Sequence, residues 1–351
     1  MPTTPVSNQR TQPQPTNTPP PPAGATRVAP SNQAEGGPRT SGTDDTFAAN
    51  GQQPPQYQEG QQLGQIASGV PVTAGREAKD FYCEHAFFIS NEFSHQPNSS
   101  VARDGNGDPL VTFIHHPGKL DQPNSPDRQA GAQEVVGATL RGYVDSARGQ
   151  VPGNEPIKVL LSGYGVFGKV KNNPTQDFVK NPGNLDAAMS QGFPANLVRN
   201  ADGTPKREEL KAVDGQPVYR YTVLDQDGKN PRNVDVMSAL LPVSDKAIDG
   251  GSKSLQKLEQ DFRPNAVINM GVSPGGNTWT METRADDGGM RRTGNMKFTD
   301  GDSSRERQWE YENPSGANAV KAGQEAIQRD RTAAGAVSVS QLGVPRQISA
   351  S

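Results

Sequence analysis

Short apolar runs, each closing on a glycine or a polar residue, constrain what this chain can fold into more than any other feature. LVTFI at 110–114, IKVLLSG at 157–163 and AVINMG at 266–271 are nearly continuous in apolar residues. A strand with one face in water alternates apolar and polar residues, whereas an unbroken run belongs to a strand covered on both faces, as in a parallel sheet. VPVTA at 70–74 and VMSALLPV at 236–243 read as further strands.

Helical spacing alternates with these runs. Val135, Val136, Leu140 and Val144 form one stripe in 133–147, and Ala86, Phe87, Ile89 and Phe93 give a buried side to a helix starting near Cys83. Ile248, Leu255 and Leu258 do the same for 245–262, and 317–331 reads as a last helix. Residues 94–109 and 148–156 read as an exposed loop and a linker, while 286–313 is polar and glycine-rich with no assignable element. Strands alternating with helices predict an α/β fold: a single open, mostly parallel twisted sheet flanked by helices.

Composition sets the boundaries. Only 31% of the 351 residues are hydrophobic, with 38 Gly and 31 Pro, too polar for a folded domain spanning the whole length. The excess lies at the start: 1–62, rich in Pro, Gln, Ser and Thr, is expected to be a disordered tail, or alternatively a delivery signal for a translocated bacterial effector. Residues 63–340 are expected to form the domain, in two parts (63–147 and 157–340) joined at 148–156, with 341–351 flexible. A net charge of −3 with no basic run argues against nucleic acid, and no stretch approaches the ~18 apolar residues of a membrane span. The N-terminus lacks the apolar run of a cleavable secretion signal, which leaves a cytoplasmic location or translocation into a host cell through the tail as the expectation. A single cysteine excludes an internal disulfide.

That cysteine is also the chemical lead. Cys83 lies in FYCEHAFF, His115 in TFIHHP 32 residues later, and Glu282 beyond MGVSPG. These are the parts of a thiol nucleophile, its base and an orienting acid. In open α/β sheets ligands bind beyond the carboxyl ends of the strands, and 163–168, 271–276 and the loop after Ile114 all fall there, so the three groups are expected to converge. Strand alternation sends His115 and His116 to opposite faces, and His85 is a further competitor for the base.

The same residues resemble the pyroglutamyl peptidase I family of cysteine peptidases (pyrrolidone-carboxylate peptidases). The family's G-F-x-P-F-G-G-x-x-x-N-P-[ST] loop is matched by GYGVFGKVKNNPT at 163–175, its L-P-V by Leu241, Pro242 and Val243, and its Gly-to-Glu separation by Gly271 and Glu282. FIHHP at 113–117 is similar to F-[IL]-H-V-P and selects His115, while the run from Val70 to Cys83 matches the approach to the family's cysteine. Gly75, Arg76 and Lys79 depart from the Ser, Asn and Gly of that approach. The family's order of parts is inverted here, so the resemblance, which covers 63–292, implies a circular permutant with its joint at 148–156.

What the resemblance implies is a peptidase that hydrolyses the amide after an N-terminal pyroglutamate, with Cys83, His115 and Glu282 catalytic. It also implies Arg292 on the oxyanion side, and Tyr164, Phe167 and Phe81 around the lactam. The expected substrate is a peptide or protein with an N-terminal pyroglutamate, no cofactor or metal is called for, and the oligomeric state is left open. The alternatives are a retargeted cysteine hydrolase acting on host protein and an inactive binding module on the same fold.

Overall fold

The structure is a computed structural model that describes residues 23–27, 56–65, 71–75, 81–118, 126–166, 173–244, 247–248, 254–273, 276–286 and 309–341. In chain order the elements are β1 (Thr26–Arg27), β2 (Gln62–Gln65), β3 (Pro71–Gly75), α1 (Phe81–Ser94), β4 (Val111–Pro117), α2 (Pro126–Ala147) and β5 (Ile157–Tyr164). There follow α3 (Pro174–Lys180), α4 (Pro182–Gly192), β6 (Glu208–Val213), β7 (Gln216–Val223), β8 (Arg232–Leu241) and α5 (Leu255–Phe262). The last are β9 (Ala266–Ser273), β10 (Trp279–Glu282), β11 (Arg284–Asp286), β12 (Trp309–Glu312) and α6 (Ser315–Gln341).

The apolar runs all become strands, and they occupy the middle of a nine-stranded sheet ordered β2-β3-β10-β4-β9-β5-β8-β7-β6. From β4 to β8 the pairings β4–β9, β9–β5 and β5–β8 are parallel, as unbroken apolar sequence predicts. Outside that block the sheet is mixed. β3–β10 is parallel, but β2–β3, β10–β4, β8–β7 and β7–β6 are antiparallel. The sheet is also not single: β1, β12 and β11 form a separate three-stranded antiparallel sheet. β6 is exposed and charged, and β7 mixes buried Val and Tyr with polar residues, so neither shows the unbroken apolar run that betrayed the centre.

Helices cover both faces. On one, α1 packs on β4 and β9 and meets α5. On the other lie α2, α3, α4 and α6, with α2 packed against both α4 and α6. This second face is closely built: a Cβ added at Gly142 of α2 would sit 2.3 Å from the Ala319 carbonyl oxygen of α6. One added at Gly323 would sit 1.9 Å from that of Ala138. Backbone meets backbone there, and the missing side chains are the reason it can.

Three helices begin on an Asn-Pro step. Asn173, Asn181 and Asn313 each accept through Oδ1 from the N–H two residues on, at 3.0, 3.0 and 3.1 Å. The intervening proline has no N–H to satisfy and its φ suits a first helical turn. Asn173 also donates to Gly165 O (2.9 Å), and Thr175 Oγ1 accepts from Tyr164 N (3.0 Å), so the start of α3 is pinned to the end of β5.

Several boundaries move from the sequence expectation. Of the helix expected over 245–262, α5 is the part described, capped by Ser254, whose Oγ accepts from Lys257 N (3.2 Å). Ile248, Leu255 and Leu258 are buried, and 245–246 and 249–253 lie outside the described residues. The run at 236–243 belongs to a strand that starts earlier and stops at Leu241, because Pro242 cannot continue the ladder. The unassigned stretch 286–313 contributes β12, and its residues 287–308 lie outside the described residues, as do 342–351. Within 1–62, two short pieces are described. Thr26 and Arg27 pair with Glu310 and Trp309, and Tyr57 is buried, its hydroxyl bonded to Asn318 Oδ1 at 2.7 Å. An aromatic and a strand edge gave these pieces enough contact; the rest of the tail lies outside the described residues.

Residues 148–156 join the end of α2 to the start of β5 as a short turn. The two parts of the chain on either side do not separate in space, since β4 of the first lies between β9 and β10 of the second.

Candidate active site

His115 is placed by register. On β4 it lies opposite Gly271 of β9 on one side and Thr280 of β10 on the other. Glu282 is two residues beyond Thr280, on the same face of the sheet, a diagonal neighbour that a long side chain can reach. It does so: His115 Nδ1 and Glu282 Oε1 are 2.7 Å apart, with residue exposures of 4% and 2%. A carboxylate only accepts, so Nδ1 carries the proton and Nε2 is left with its lone pair. Nε2 is buried and has no hydrogen-bond partner among the described residues. Phe113, one step back on the same face, packs its ring 4.9 Å from the imidazole.

Cys83 comes from the other side. It is the third residue of α1, in the first turn, where the unpaired N–H groups of a helix favour a negative charge. Its sulfur rests on Gly271: a Cβ there would lie 2.8 Å from Sγ. Gly271 is the strand partner of His115, so the thiol lies against the position next to the imidazole in the sheet, while the carboxylate bonds Nδ1. Nε2 accepts no hydrogen bond from the thiol. Such contacts are often long before substrate binds.

Glu282 is seated by its own neighbours. Its Cα partner on β3 is Gly75, and Thr283 donates through both N–H (3.0 Å) and Oγ1 (2.8 Å) to the Gly75 carbonyl. In the sequence Gly75 and Thr283 stand only as departures from the family pattern, at its Ser and at the Arg after its Glu; their alignment beside Glu282 comes from the strand register.

Tyr164 ends β5 beside this group. Its phenol is buried, donates to Tyr82 O at 3.4 Å, and is held well above the ordinary tyrosine range by burial first, then by the charges of Cys83 and Glu259. It therefore stays protonated. Phe81 opens α1, while Phe167 and Arg292 lie outside the described residues. His85 is buried on α1 two residues past the cysteine, and the residue bonded to Glu282 Oε1 is His115.

Beneath Cys83 runs a buried polar chain. Ser162 Oγ donates to Asn269 Oδ1 (2.6 Å), Asn269 Nδ2 to Ser90 Oγ (3.1 Å), and Ser90 Oγ to Glu259 Oε1 (2.5 Å). Glu259 is fully buried, and burial pushes its carboxyl up to about 8, Ser90 opposing and Glu92 adding to the effect.

His116 points to the opposite face, as alternation requires. It is fully buried edge-on to Trp279 (ring centroids 4.5 Å), and neither ring nitrogen has a partner among the described residues. Burial, then Arg128 and His115, press its pKa down to about 3. It is a neutral core ring.

Among the described residues no group of three or more His, Cys, Asp or Glu side chains is placed to hold a metal ion, and no helix is long and apolar enough to cross a membrane. No protein-family model, curated protein or solved structure matches the chain.

Proposed function

We propose that the chain is a cysteine hydrolase of pyroglutamyl-peptidase type, circularly permuted, which cleaves the amide following an N-terminal pyroglutamate. The observation that carries this reading is the buried His115–Glu282 pair at 2.7 Å with the Cys83 sulfur set against Gly271, the strand partner of that histidine. Residues from three distant parts of the sequence come together on one side of the sheet, and a thiol hydrolase needs a nucleophile, a base and an orienting acid placed in this way.

In this reading the Cys83 thiol gives its proton to Nε2 of His115, and the sulfur attacks the carbonyl carbon of the pyroglutamyl residue. The C–N bond breaks as the imidazolium returns that proton to the leaving amine, and water then hydrolyses the thioester with the ring acting again as base. Glu282 keeps Nδ1 protonated and stabilises the imidazolium. Tyr164, a neutral phenol beside the thiol, suits a neutral lactam, which needs polar partners and no counter-charge. The nine-residue turn at 148–156 is the kind of short joint that a permutation of this domain calls for.

The test is hydrolysis of a chromogenic pyroglutamyl amide by the full chain and by Cys83→Ala. Turnover by the wild type that vanishes in the variant supports the reading; turnover that survives in the variant removes it. One observation favours a second reading, an inactive binding module on this fold: Nε2 and the thiol are not hydrogen-bonded. That reading predicts no turnover and a thiol alkylated as slowly as an ordinary buried cysteine. Rapid alkylation without turnover instead marks a hydrolase for another substrate.

A further inference from the structure

The seat of Glu282 is unusually tight on the side away from His115. A Cβ built on Gly75 would lie 2.2 Å from Glu282 Oε2, 2.7 Å from its Cδ and 2.5 Å from Thr280 Cγ2. None of these can yield freely. The carboxylate is held by His115 on its other side. Thr280 is β-branched, with few side-chain rotamers open to it, and its strand is paired on both edges, with β3 and β4. Thr283, the next residue along, is fully buried and fixes the end of β10 through two hydrogen bonds to the Gly75 carbonyl, while its own carbonyl accepts from Asn313 N (2.8 Å).

We propose that Gly75 and Thr283 are positioning residues for the imidazole–carboxylate pair. Gly75 leaves open the volume that the carboxylate fills, and Thr283 locks the strand that carries it, so that Glu282 has one place to be. The inference rests on reading His115 and Glu282 as one working unit, but its first readout needs no turnover.

A displacement of about 1 Å in such a pair typically costs on the order of 10²-fold in rate. The experiment is proton NMR of the His115 Nδ1 proton in the full-length chain, with kinetics and thermal unfolding measured alongside. A short bond to a carboxylate places that resonance far downfield in the wild type, and Glu282→Gln identifies it by moving it. Gly75→Ala and Thr283→Val are expected to move it upfield as Glu282→Gln does, and Thr283→Ser, which keeps the hydroxyl, to leave it in place. On any substrate the chain turns over, Gly75→Ala is expected to lower kcat by about 10²-fold with KM held.

A resonance unchanged in Gly75→Ala overturns the proposal. If that variant does not fold, an unchanged resonance in Thr283→Val overturns it alone. A wild type with no downfield signal overturns both this proposal and the pairing beneath it. A wild type with the signal but without turnover counts against the proposed peptidase activity only, and the seat is still decided by the variants.

Discussion

Two adjacent histidines divide this molecule. His115 and His116 are neighbours on one strand, yet the sheet sends one to the α1 face and the other to the α2/α6 face, and their chemistry diverges completely. His115 has a carboxylate on one nitrogen and an open lone pair on the other, with a thiol against its strand partner Gly271. His116 packs edge-on to Trp279 with the Arg128 charge acting on it, and neither nitrogen has a hydrogen-bond partner among the described residues. The α1 face carries polar groups in connected chains, the pair at the top and Glu259–Ser90–Asn269–Ser162 below. The opposite face is packed backbone to backbone through glycines, and the buried polar groups at its α2–α6 contact include Arg141 on Asp145 and Asp330 and Tyr143 on Ser315. A residue type therefore says little here; the face it lands on says nearly everything.

The sharpest way to break this contrast is to delete each ring in turn. His115→Ala is expected to lower turnover of a pyroglutamyl amide by about 10²–10⁴-fold, the usual worth of a placed general base. His116→Leu, which replaces a neutral buried ring by an apolar group of similar size, is expected to leave turnover where it was. Equal losses in both would erase the distinction between the faces.

Stability against pH separates the faces next, with opposite signs. Glu259 is raised from 4.5 to about 8, so between those values the folded chain holds a proton that the unfolded chain releases. Stability contributed by this group is complete below about 4.5 and is lost as pH rises toward 8. At about 1.4 kcal/mol per pH unit the loss is roughly 5 kcal/mol across the window. Glu259→Gln should abolish that slope in denaturant titrations run from pH 5 to 8. His116 is lowered from 6.5 to about 3, so in that window the unfolded chain binds the extra proton and stability falls as pH drops. The size is again roughly 5 kcal/mol, and His116→Leu should flatten the acid limb of the curve. A variant that changed the wrong limb would contradict the assignment.

The smallest effect belongs to packing alone. Gly142→Ala puts a methyl into the α2–α6 contact and should cost about 1–3 kcal/mol by chemical denaturation. The His115–Glu282 pair lies across the sheet, so turnover per folded molecule should hold.

How much of this was legible beforehand follows the same division. The central strands were readable because burial on both faces leaves no alternation to mistake, and the opposed directions of His115 and His116 followed from the strand period alone. A convergence of Cys83, His115 and Glu282 was expected from the strand ends, without saying which would pair. The meeting of His115 with Glu282 was not derivable from local pattern, because β10 turns back antiparallel beside β4 and a four-residue strand carries too little periodicity to show it. β6 escaped for want of apolar content, β7 because its Val and Tyr are broken up by polar residues, and α3 and α4 because their starts are set by Asn-Pro caps within polar sequence. The Asn-Pro-Thr match at 173–175 also proves less particular than it looked, since the same step opens α4 and α6. Gly75 and Gly271 carry no side-chain pattern; their importance is the space above them, which only coordinates reveal.

The account stands on Cys83 and His115 acting as one unit across the Gly271 gap. The direct measurement is the rate of Cys83 alkylation by iodoacetamide from pH 5 to 9, in the wild type and in His115→Ala. A thiol served by the imidazole reacts readily near neutrality, and removing the ring should slow alkylation at pH 7 by about tenfold or more and move the profile toward that of a free thiol near 8.5. Superimposable profiles in the two proteins would show that the sulfur and the ring do not communicate, and would contradict the account.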